Sequence, residues 1–301
     1  QWSLRSGQIA VGVYAGESAL VHFRSAMEIA VGDDEELAAL SGLGEAFMSL
    51  GRHAEAVRGY TAALQRAASI EVRSDLHRRI GRAHERQGAF DKALLSFGEA
   101  RQLLQGRPLS MTSIRIADSL ATVYVRLGRH HEAAELCRDA LRWVSEHGDV
   151  DPRQEAEAWL CNTLGMALMH DGQFDHALES LDRSLALKRK LEDRHGEATL
   201  RNNLGVVHYH RGDDQAASEH YRASLEIKTA IGDTYGRAIA LTNLALIETH
   251  LGDFDEAGVL LQEAARAADA SGAAWLEPEI ARVAAQRHLA LGDLDAALAS
   301  A

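Results

Sequence analysis

The chain repeats one glycine-centred pattern seven times, and a repeat constrains a fold more strongly than length or composition does. The glycines recur at intervals of 37, 40, 44, 40, 40 and 40 residues, and an alanine follows each of them five residues later. A second small residue, glycine or alanine, stands seven positions before every one of them. The repeating glycines are Gly51, Gly88, Gly128, Gly172, Gly212, Gly252 and Gly292.

The spacing inside each repeat predicts a hairpin of two helices. Apolar residues recur three and four positions apart, as at Leu200, Leu204 and Val207, which is the period of an amphipathic helix. A glycine just past a helix end adopts a left-handed backbone at little cost. The other small residues suit a crossing of two helices whose axes are about 8 to 10 Å apart. Each repeat is therefore predicted to be helix A, a tight turn and helix B.

One hairpin cannot bury its apolar face alone, so the hairpins are expected to stack into a solenoid. Helix A should end just before the turn glycine, and helix B should begin two residues after it. With no capping hairpin evident, we expect residues 1–301 to be one solenoid taken from a longer multidomain protein. The predicted hairpins are an incomplete first one at 8–31, then 34–69, 71–105, 109–147, 152–191, 194–231, 234–271 and a truncated last one at 276–301.

Composition agrees with an all-helical chain and limits its partners. The chain is 46% hydrophobic with few aromatic residues and three prolines, so alanine and leucine, both good helix formers, dominate. The net charge of −12 disfavours nucleic acid and anionic membrane surfaces as partners. The two cysteines, Cys137 and Cys161, have neither disulfide-framework nor metal-site spacing, which favours the cytoplasm. No apolar run predicts a membrane span.

The repeat resembles the tetratricopeptide repeat (TPR) family. The segment "GLGEAF" is followed by Gly51, Ala56, Tyr60 and Ala63, and "RIGRAH" is followed by Gly88, Ala93, Phe97 and Ala100. This resemblance implies an all-α, right-handed α-solenoid of about seven to eight stacked helix-turn-helix units. Two features depart from the family pattern, since the period is about 40 residues instead of 34 and the proline that often ends a unit is missing.

Two longer phrases, "EDRHGEATLRNNLGVV" and "GDTYGRAIALTNLALI", resemble the C-terminal TPR arms of bacterial signalling ATPases of the STAND class and of antibiotic-regulatory transcription factors. That resemblance implies a bacterial signal-transduction protein. In such proteins the arm senses a peptide, a protein partner or a small acidic effector, and regulates an ATPase or transcription-regulator domain. Such a domain would lie outside this sequence.

In the TPR fold, helix A of each unit is implied to line the concave surface, where ligands bind. Amides are unfavourable in mid-helix, but they can both donate to and accept from an extended peptide backbone. The resemblance implies that Asn203 and Asn243 hold a ligand main chain. Alternatively, the amides bond neighbouring helices, or they reflect recent duplication of a unit. The candidate ligand-binding residues of these units are Asn162, Asn202, Asn203, Asn243, His170, His210, His250 and Tyr209.

The three histidines recur at the same repeat position, which raises the question of a metal site. Neighbouring units are displaced by about 10 Å, one helix diameter, whereas metal ligands need bonds near 2 Å. We therefore expect no metal site at these histidines. Protonated histidine is favoured near a helix C-terminus, and a pH-sensitive contact is left open.

Earlier units present arginines at the inward positions, with Asp75, Glu85 and Asp118 among them. Guanidinium groups suit carboxylates and phosphates, so an acidic or phosphorylated ligand is one reading. The other reading is local pairing on a solvated surface, Asp75 with Arg79 and Arg82 with Glu85. RNA binding is a third reading, which the net charge disfavours. The arginines are Arg78, Arg79, Arg82, Arg86, Arg115 and Arg126.

No catalytic motif emerges from the sequence, since it contains no G-x-S-x-G, H-E-x-x-H or paired Cys-x2-Cys. We therefore expect a non-catalytic chain that needs no cofactor. The sequence is compatible with two functions. One is a recognition or sensing domain, and the other is a structural scaffold that self-associates through the ends of the solenoid.

Overall fold

A computed structural model describes residues 2–12, 16–146, 151–273 and 276–300. These residues form sixteen α-helices and no β-strand. The helices are α1 (Trp2–Gly12), α2 (Gly16–Glu28), α3 (Asp33–Ser49), α4 (His53–Arg66), α5 (Ile70–Arg86), α6 (Phe90–Leu103), α7 (Met111–Arg126), α8 (His130–Glu146), α9 (Asp151–His170), α10 (Phe174–Lys190), α11 (Arg194–Arg211), α12 (Asp214–Ala230), α13 (Thr234–Leu251), α14 (Phe254–Ser271), α15 (Glu277–Ala290) and α16 (Leu294–Ser300).

The helices pair as hairpins within two compact units, residues 1–143 and residues 144–301. In the first unit, α3 packs on α4 and α5 on α6, and in the second, α11 packs on α12 and α13 on α14. Within each unit a helix B also packs on the helix A that follows it, as α4 does on α5 and α12 on α13. The all-α arrangement of stacked hairpins is therefore confirmed. A single solenoid over the whole chain stays a prediction, and its unit bounds at 147 and 301 lie outside the described residues.

The turn glycines occupy the positions that the repeat predicts. All seven have positive φ, from 69° at Gly51 to 88° at Gly212, so each ends a helix in the left-handed region where a Cβ is strained. The first hairpin extends further than the sequence pattern indicates, because α1 already begins at Trp2 instead of residue 8.

The small residue of helix A makes room for a large side chain of helix B. A Cβ on Gly205 would lie 2.6 Å from Cε1 of Tyr221, and one on Gly81 would lie 2.5 Å from Cε1 of Phe97. Both rings are buried, and burying a large apolar side chain contributes about 1.5 to 3 kcal/mol. Helix crossing and ring burial thus depend on the same glycine.

At two junctions of the second unit, where the family pattern often has a proline, a lysine and an aspartate join helix B to the next helix A. Asp193 Oδ1 accepts a 2.8 Å hydrogen bond from the Gly196 backbone N–H and so caps α11. The buried Lys188 donates to Asp193 Oδ2 over 2.7 Å. Asp233 caps α13 in the same way, and the buried Lys228 donates to a backbone carbonyl, with burial lowering the pKa of that lysine. These contacts join two 17-residue B helices to the A helices that follow them.

We predict opposite effects of glycine-to-alanine substitutions at two helix-interior positions. Gly205→Ala forces a Cβ against the Tyr221 ring and should destabilise the chain by about 1 to 3 kcal/mol. Gly98→Ala meets no atom within 4 Å and should stabilise it by about 0.5 to 1 kcal/mol, because alanine is the better helix former.

Urea unfolding of the two variants beside the parent chain measures both effects. Equal shifts of the same sign would contradict the packing role assigned to the small residues of helix A.

Candidate functional site

The predicted ligand-binding residues of the second unit form one stripe along three neighbouring A helices. The side chains of α9, α11 and α13 that solvent reaches along this stripe are called the A-helix face below. Positions three and four apart share a side of a helix, which places the members of each helix together. The half-buried members are Trp159, Asn162, Met166, Asn202, Asn203, Val206, Tyr209, Ile239 and Asn243, and the exposed members are His170, His210 and His250.

The four asparagines bond one another across the A helices. Asn203 Nδ2 donates to Asn162 Oδ1 over 2.8 Å, which joins α11 to α9. Asn243 Nδ2 donates to Asn202 Oδ1 over 3.0 Å, which joins α13 to α11. Both bonds connect residues 41 positions apart. Of the two adjacent asparagines on α11, Asn203 therefore bonds α9 and Asn202 bonds α13. We call this arrangement the amide ladder.

The amide ladder leaves part of each amide available. An asparagine side chain offers two donors and one acceptor with two lone pairs, and each of the four uses one of these in the described residues. All four side chains are half-buried, so solvent reaches part of each. The bonding of neighbouring helices, which the sequence offered as an alternative, is present. Contact with a ligand main chain stays a prediction.

The C-terminal ends of α11 and α13 add aromatic groups to the face. The Tyr209 ring lies 5.3 Å from the His210 ring and 5.4 Å from the His250 ring, centroid to centroid. His250 Nδ1 lies 3.7 Å from Asp214 Oδ2, at a cleft of about 520 Å³ that Gln286 also lines. This end of the face combines aromatic surface with a carboxylate.

An acidic cluster of the second unit, formed by Glu248, Asp253 and Glu256, is paired with the side chain of Arg222. Arg222 donates to Glu248 over 2.9 Å and pairs with Glu256 over 2.8 Å. Ser218 donates a further 2.7 Å hydrogen bond to Glu248, which is buried. The guanidinium thus neutralises part of the charge of the cluster, and its two ion pairs join α12, α13 and α14.

A stacked histidine pair lies between α11 and α12, which sequence reasoning missed. The His208 and His220 rings are parallel within 16° with centroids 5.2 Å apart, and His220 Nδ1 is buried without a hydrogen-bond partner. Burial, together with the charges of His208 and Arg201, lowers the pKa of His220 to about 4. The folded chain therefore favours the neutral ring.

This pair predicts a loss of stability in mild acid. An unfolded histidine titrates near 6.5, so the stabilising contribution is present above that pH and is lost as the pH falls towards 4. Because the ring is partly exposed, the effect should be of the order of 1 kcal/mol. Thermal melts between pH 7 and pH 4.5 should show a smaller decline for His220→Gln than for the parent chain. The control His131→Gln, at an exposed histidine, should melt like the parent at every pH, and an equal decline for all three would refute this role of His220.

The arginines of the first unit are mostly paired. Arg78, which is buried, and Arg79 both donate to Asp75, and Arg79 also pairs with Glu45. Burial would raise the pKa of Asp75, but the two guanidinium groups outweigh it and hold the pKa below its usual range. The predicted Asp75–Arg79 pair is confirmed, so these two arginines stabilise α5.

The predicted pair of Arg82 with Glu85 is wrong. Glu85 is buried and bonds Arg126 of α7 over 3.0 Å, so it bridges two A helices instead of bonding within one turn. Arg82 and Arg86 are exposed and form no ion pair among the described residues, while Arg115 is half-buried. Of the six arginines, Arg82 and Arg86 are the ones that offer an uncompensated guanidinium to solvent.

The cysteines have the character of packing residues. Cys137 and Cys161 are both free thiols and both buried, and burial raises the pKa of Cys161 to about 11. Within the described part of the chain, no helix has the combined length and apolarity that crossing a bilayer requires.

The chain belongs to the tetratricopeptide repeat family. Four stretches match family models described as Tetratricopeptide repeat, at residues 41–108, 114–142, 154–230 and 238–263, which together make up about two thirds of the sequence. The fold and the repeat pattern therefore lead to the same family. No curated protein matches the sequence.

Solved structures share the fold at low sequence identity. A Rap protein complexed with Competence and Sporulation Factor is 15% identical, with a TM-score of 0.71 over 99% of this chain and 84% of that one. A STAND protein with a tetratricopeptide repeat sensor from Pyrococcus horikoshii is 17% identical, with a TM-score of 0.66 over 91% of this chain and 43% of its own. Aspartyl phosphate phosphatase F from Bacillus subtilis is 11% identical, with a TM-score of 0.64 over 99% and 81%.

Proposed function

We propose that this chain is a non-catalytic recognition domain that binds an extended segment of a peptide or protein along the A-helix face. The observation that carries the proposal is the amide ladder, in which four half-buried asparagines on three successive A helices keep donors and acceptors open to solvent. Packing alone explains the recurrent glycines and alanines of the repeat. It does not require a row of amides in the middle of helices, where they are unfavourable.

The dimensions of the face suit an extended segment. Packed helices are about 8 to 10 Å apart, and an extended chain advances about 3.3 Å per residue. The amides of successive A helices therefore meet the ligand backbone about every third residue. Between them, Trp159, Met166 and Val206 offer apolar contacts for ligand side chains, and Tyr209 with His250 offers an aromatic end.

The fold of the neighbours supports a role in signalling. One similar structure is a Rap protein in complex with Competence and Sporulation Factor. Another is a STAND protein with a tetratricopeptide repeat sensor, and the match covers 43% of that protein. We infer that this chain senses its ligand for an effector domain of the ATPase or transcription-regulator kind. The alternative is a scaffold for self-association without a groove ligand.

We infer the non-catalytic character from the face itself, whose members are amides, apolar and aromatic side chains and three imidazoles, with no serine or cysteine nucleophile among them. One similar structure is named a phosphatase, and that name describes the other protein. Hydrolysis of acyl phosphate by the purified chain above the level of a heat-denatured sample would contradict this part of the proposal.

Capture of the partner from extracts of the source cells tests the proposal. The double variant Asn202→Ala, Asn243→Ala breaks one rung of the ladder and should lose at least ten-fold in partner recovery, while its circular dichroism stays that of the parent. Gln262→Ala removes an exposed amide from a B helix and serves as the matched control, with unchanged recovery. Recovery that is equal for both variants, or a change of oligomeric state in place of partner loss, would favour the scaffold.

We further propose that the exposed arginines of the first unit contact an acidic or phosphorylated group of a partner. Arg82 and Arg86 carry charge without a partner among the described residues, and guanidinium groups bind carboxylates and phosphates well. We expect Arg82→Gln with Arg86→Gln to weaken binding of the captured partner about three- to ten-fold at 50 mM salt and much less at 500 mM. Arg58→Gln, at an exposed arginine on α4, is the control. Equal weakening at both salt concentrations would contradict an electrostatic role.

A further inference from the structure

An apolar groove of about 1130 Å³ runs along α6 in the first unit, on a surface that the proposed function does not use. One wall consists of the solvent side of α6, and the other consists of residues 104–109, α7 and Leu136 of α8. Helix α6 stops at Leu103, and seven residues separate it from α7, whereas three residues link α10 to α11. The apolar lining is Leu94, Leu95, Leu104, Leu109, Ile116, Leu120 and Leu136.

The other repeats provide an internal control for this surface. Leu95 lies seven residues after its turn glycine and is 71% exposed. At the same position the other B helices from α4 to α14 carry Arg58, Glu135, Glu179, Glu219 and Val259. Four of these five are charged, as is usual on a solvated helix face. An exposed leucine on the wall of a large apolar groove therefore marks an interaction surface.

Gly98 of α6 is the second departure from the other repeats. The other units carry Thr61, Arg138, Asp182, Arg222 and Gln262 at this position, ten residues after the turn glycine. Its φ is not positive, and a Cβ built on it would meet no atom within 4 Å, so neither the backbone nor packing within the chain requires glycine. A glycine in a helix interior costs up to about 1 kcal/mol relative to alanine. Its effect is to let the backbone of another molecule approach α6 closely.

The lining residues of α6 follow the period of a helix-packing seam. Asp91, Leu94 or Leu95, Gly98 and Gln102 recur three or four residues apart, so they form one stripe about 17 Å long. Such a stripe, with a small residue at its centre, is what a second helix needs in order to pack at a short interaxial distance. The groove thus has the shape of a helix site more than that of a compact small-molecule pocket.

The ends of the groove carry opposite charges. Asp91 lies at one end, and Arg101 and Arg107 lie towards the other, where Glu99 also lines the groove. Asp91 and Arg101 are exposed and form no ion pair among the described residues, while Arg107 pairs with Glu71. A ligand helix with basic residues at its N-terminal end and acidic residues at its C-terminal end complements this arrangement when it runs parallel to α6.

We propose that the groove along α6 binds an amphipathic α-helix of a partner protein, which inserts an apolar stripe between α6 and α7 over Gly98. The ligand helix has apolar residues three and four positions apart over about three turns. It is basic at its first turn and acidic at its last.

Two synthetic 14-residue peptides of identical composition test this proposal on the full chain. One has leucines three and four apart, lysines in the first turn and glutamates in the last, whereas the other has its leucines spread around the helix. Fluorescence anisotropy should show saturable binding of the striped peptide, at least ten-fold tighter than that of the isomer. Leu95→Glu and Gly98→Arg, which install residues found at these positions in other repeats, should each weaken binding at least ten-fold.

Val259→Glu is the matched control, because it makes the same kind of change at the equivalent exposed position of α14 and should leave binding unchanged. Melting temperatures of the groove variants should equal or exceed that of the parent, which separates lost binding from lost folding. The proposal is overturned if both peptides bind equally or not at all, or if the groove variants bind like the parent. It is also overturned if Leu95→Glu converts a dimer of the chain to a monomer in sedimentation, since the occupant would then be a second copy.

Discussion

The contact on which the rest of the structure depends is the one between a small residue of helix A and a large side chain of helix B. At Gly205 and Tyr221 the ring fills the space that a Cβ would need, so the two helices cross closely and bury the ring together. The turn glycine seven residues later closes the hairpin in a backbone conformation that other residues strain to adopt. Repetition of this contact gives the hairpins a common shape, and the packing of helix B on the following helix A stacks them within each unit. The outer sides of the A and B helices are left for other roles.

The sequence predicts the elements of this fold well, because they depend on local chemistry. The recurrent glycines predict the turns with positive φ, and the three-four spacing of apolar residues predicts the helices. The helices of the structure begin and end near the predicted residues. The sequence predicts less well which side chains of different helices contact each other. Glu85 bonds Arg126 in place of its neighbour Arg82, because its side chain is buried against the next A helix. The histidine stack and the groove along α6 likewise depend on which faces meet.

The sequence predicts the positions of the asparagines on the candidate binding face, but it does not predict the hydrogen bonds between them. The sequence indicates that amides recur on one side of the A helices, whereas the 41-residue register that joins Asn162 to Asn203 and Asn202 to Asn243 is a property of the stack. The ladder fixes the orientation of each amide and reduces the entropy lost when a ligand binds, which is how preorganised polar groups increase affinity. Its structural and recognition roles are therefore compatible.

The central claim is that the hairpins within each unit repeat one packing contact, while recognition is confined to the faces where the repeats depart from packing needs. Hydrogen–deuterium exchange of the chain with and without its captured partner tests this claim most directly. The account predicts slower exchange in the central turns of α9, α11 and α13, with the turn-glycine segments unchanged. Protection confined to α15 and α16, with the central A helices unaffected, would contradict it.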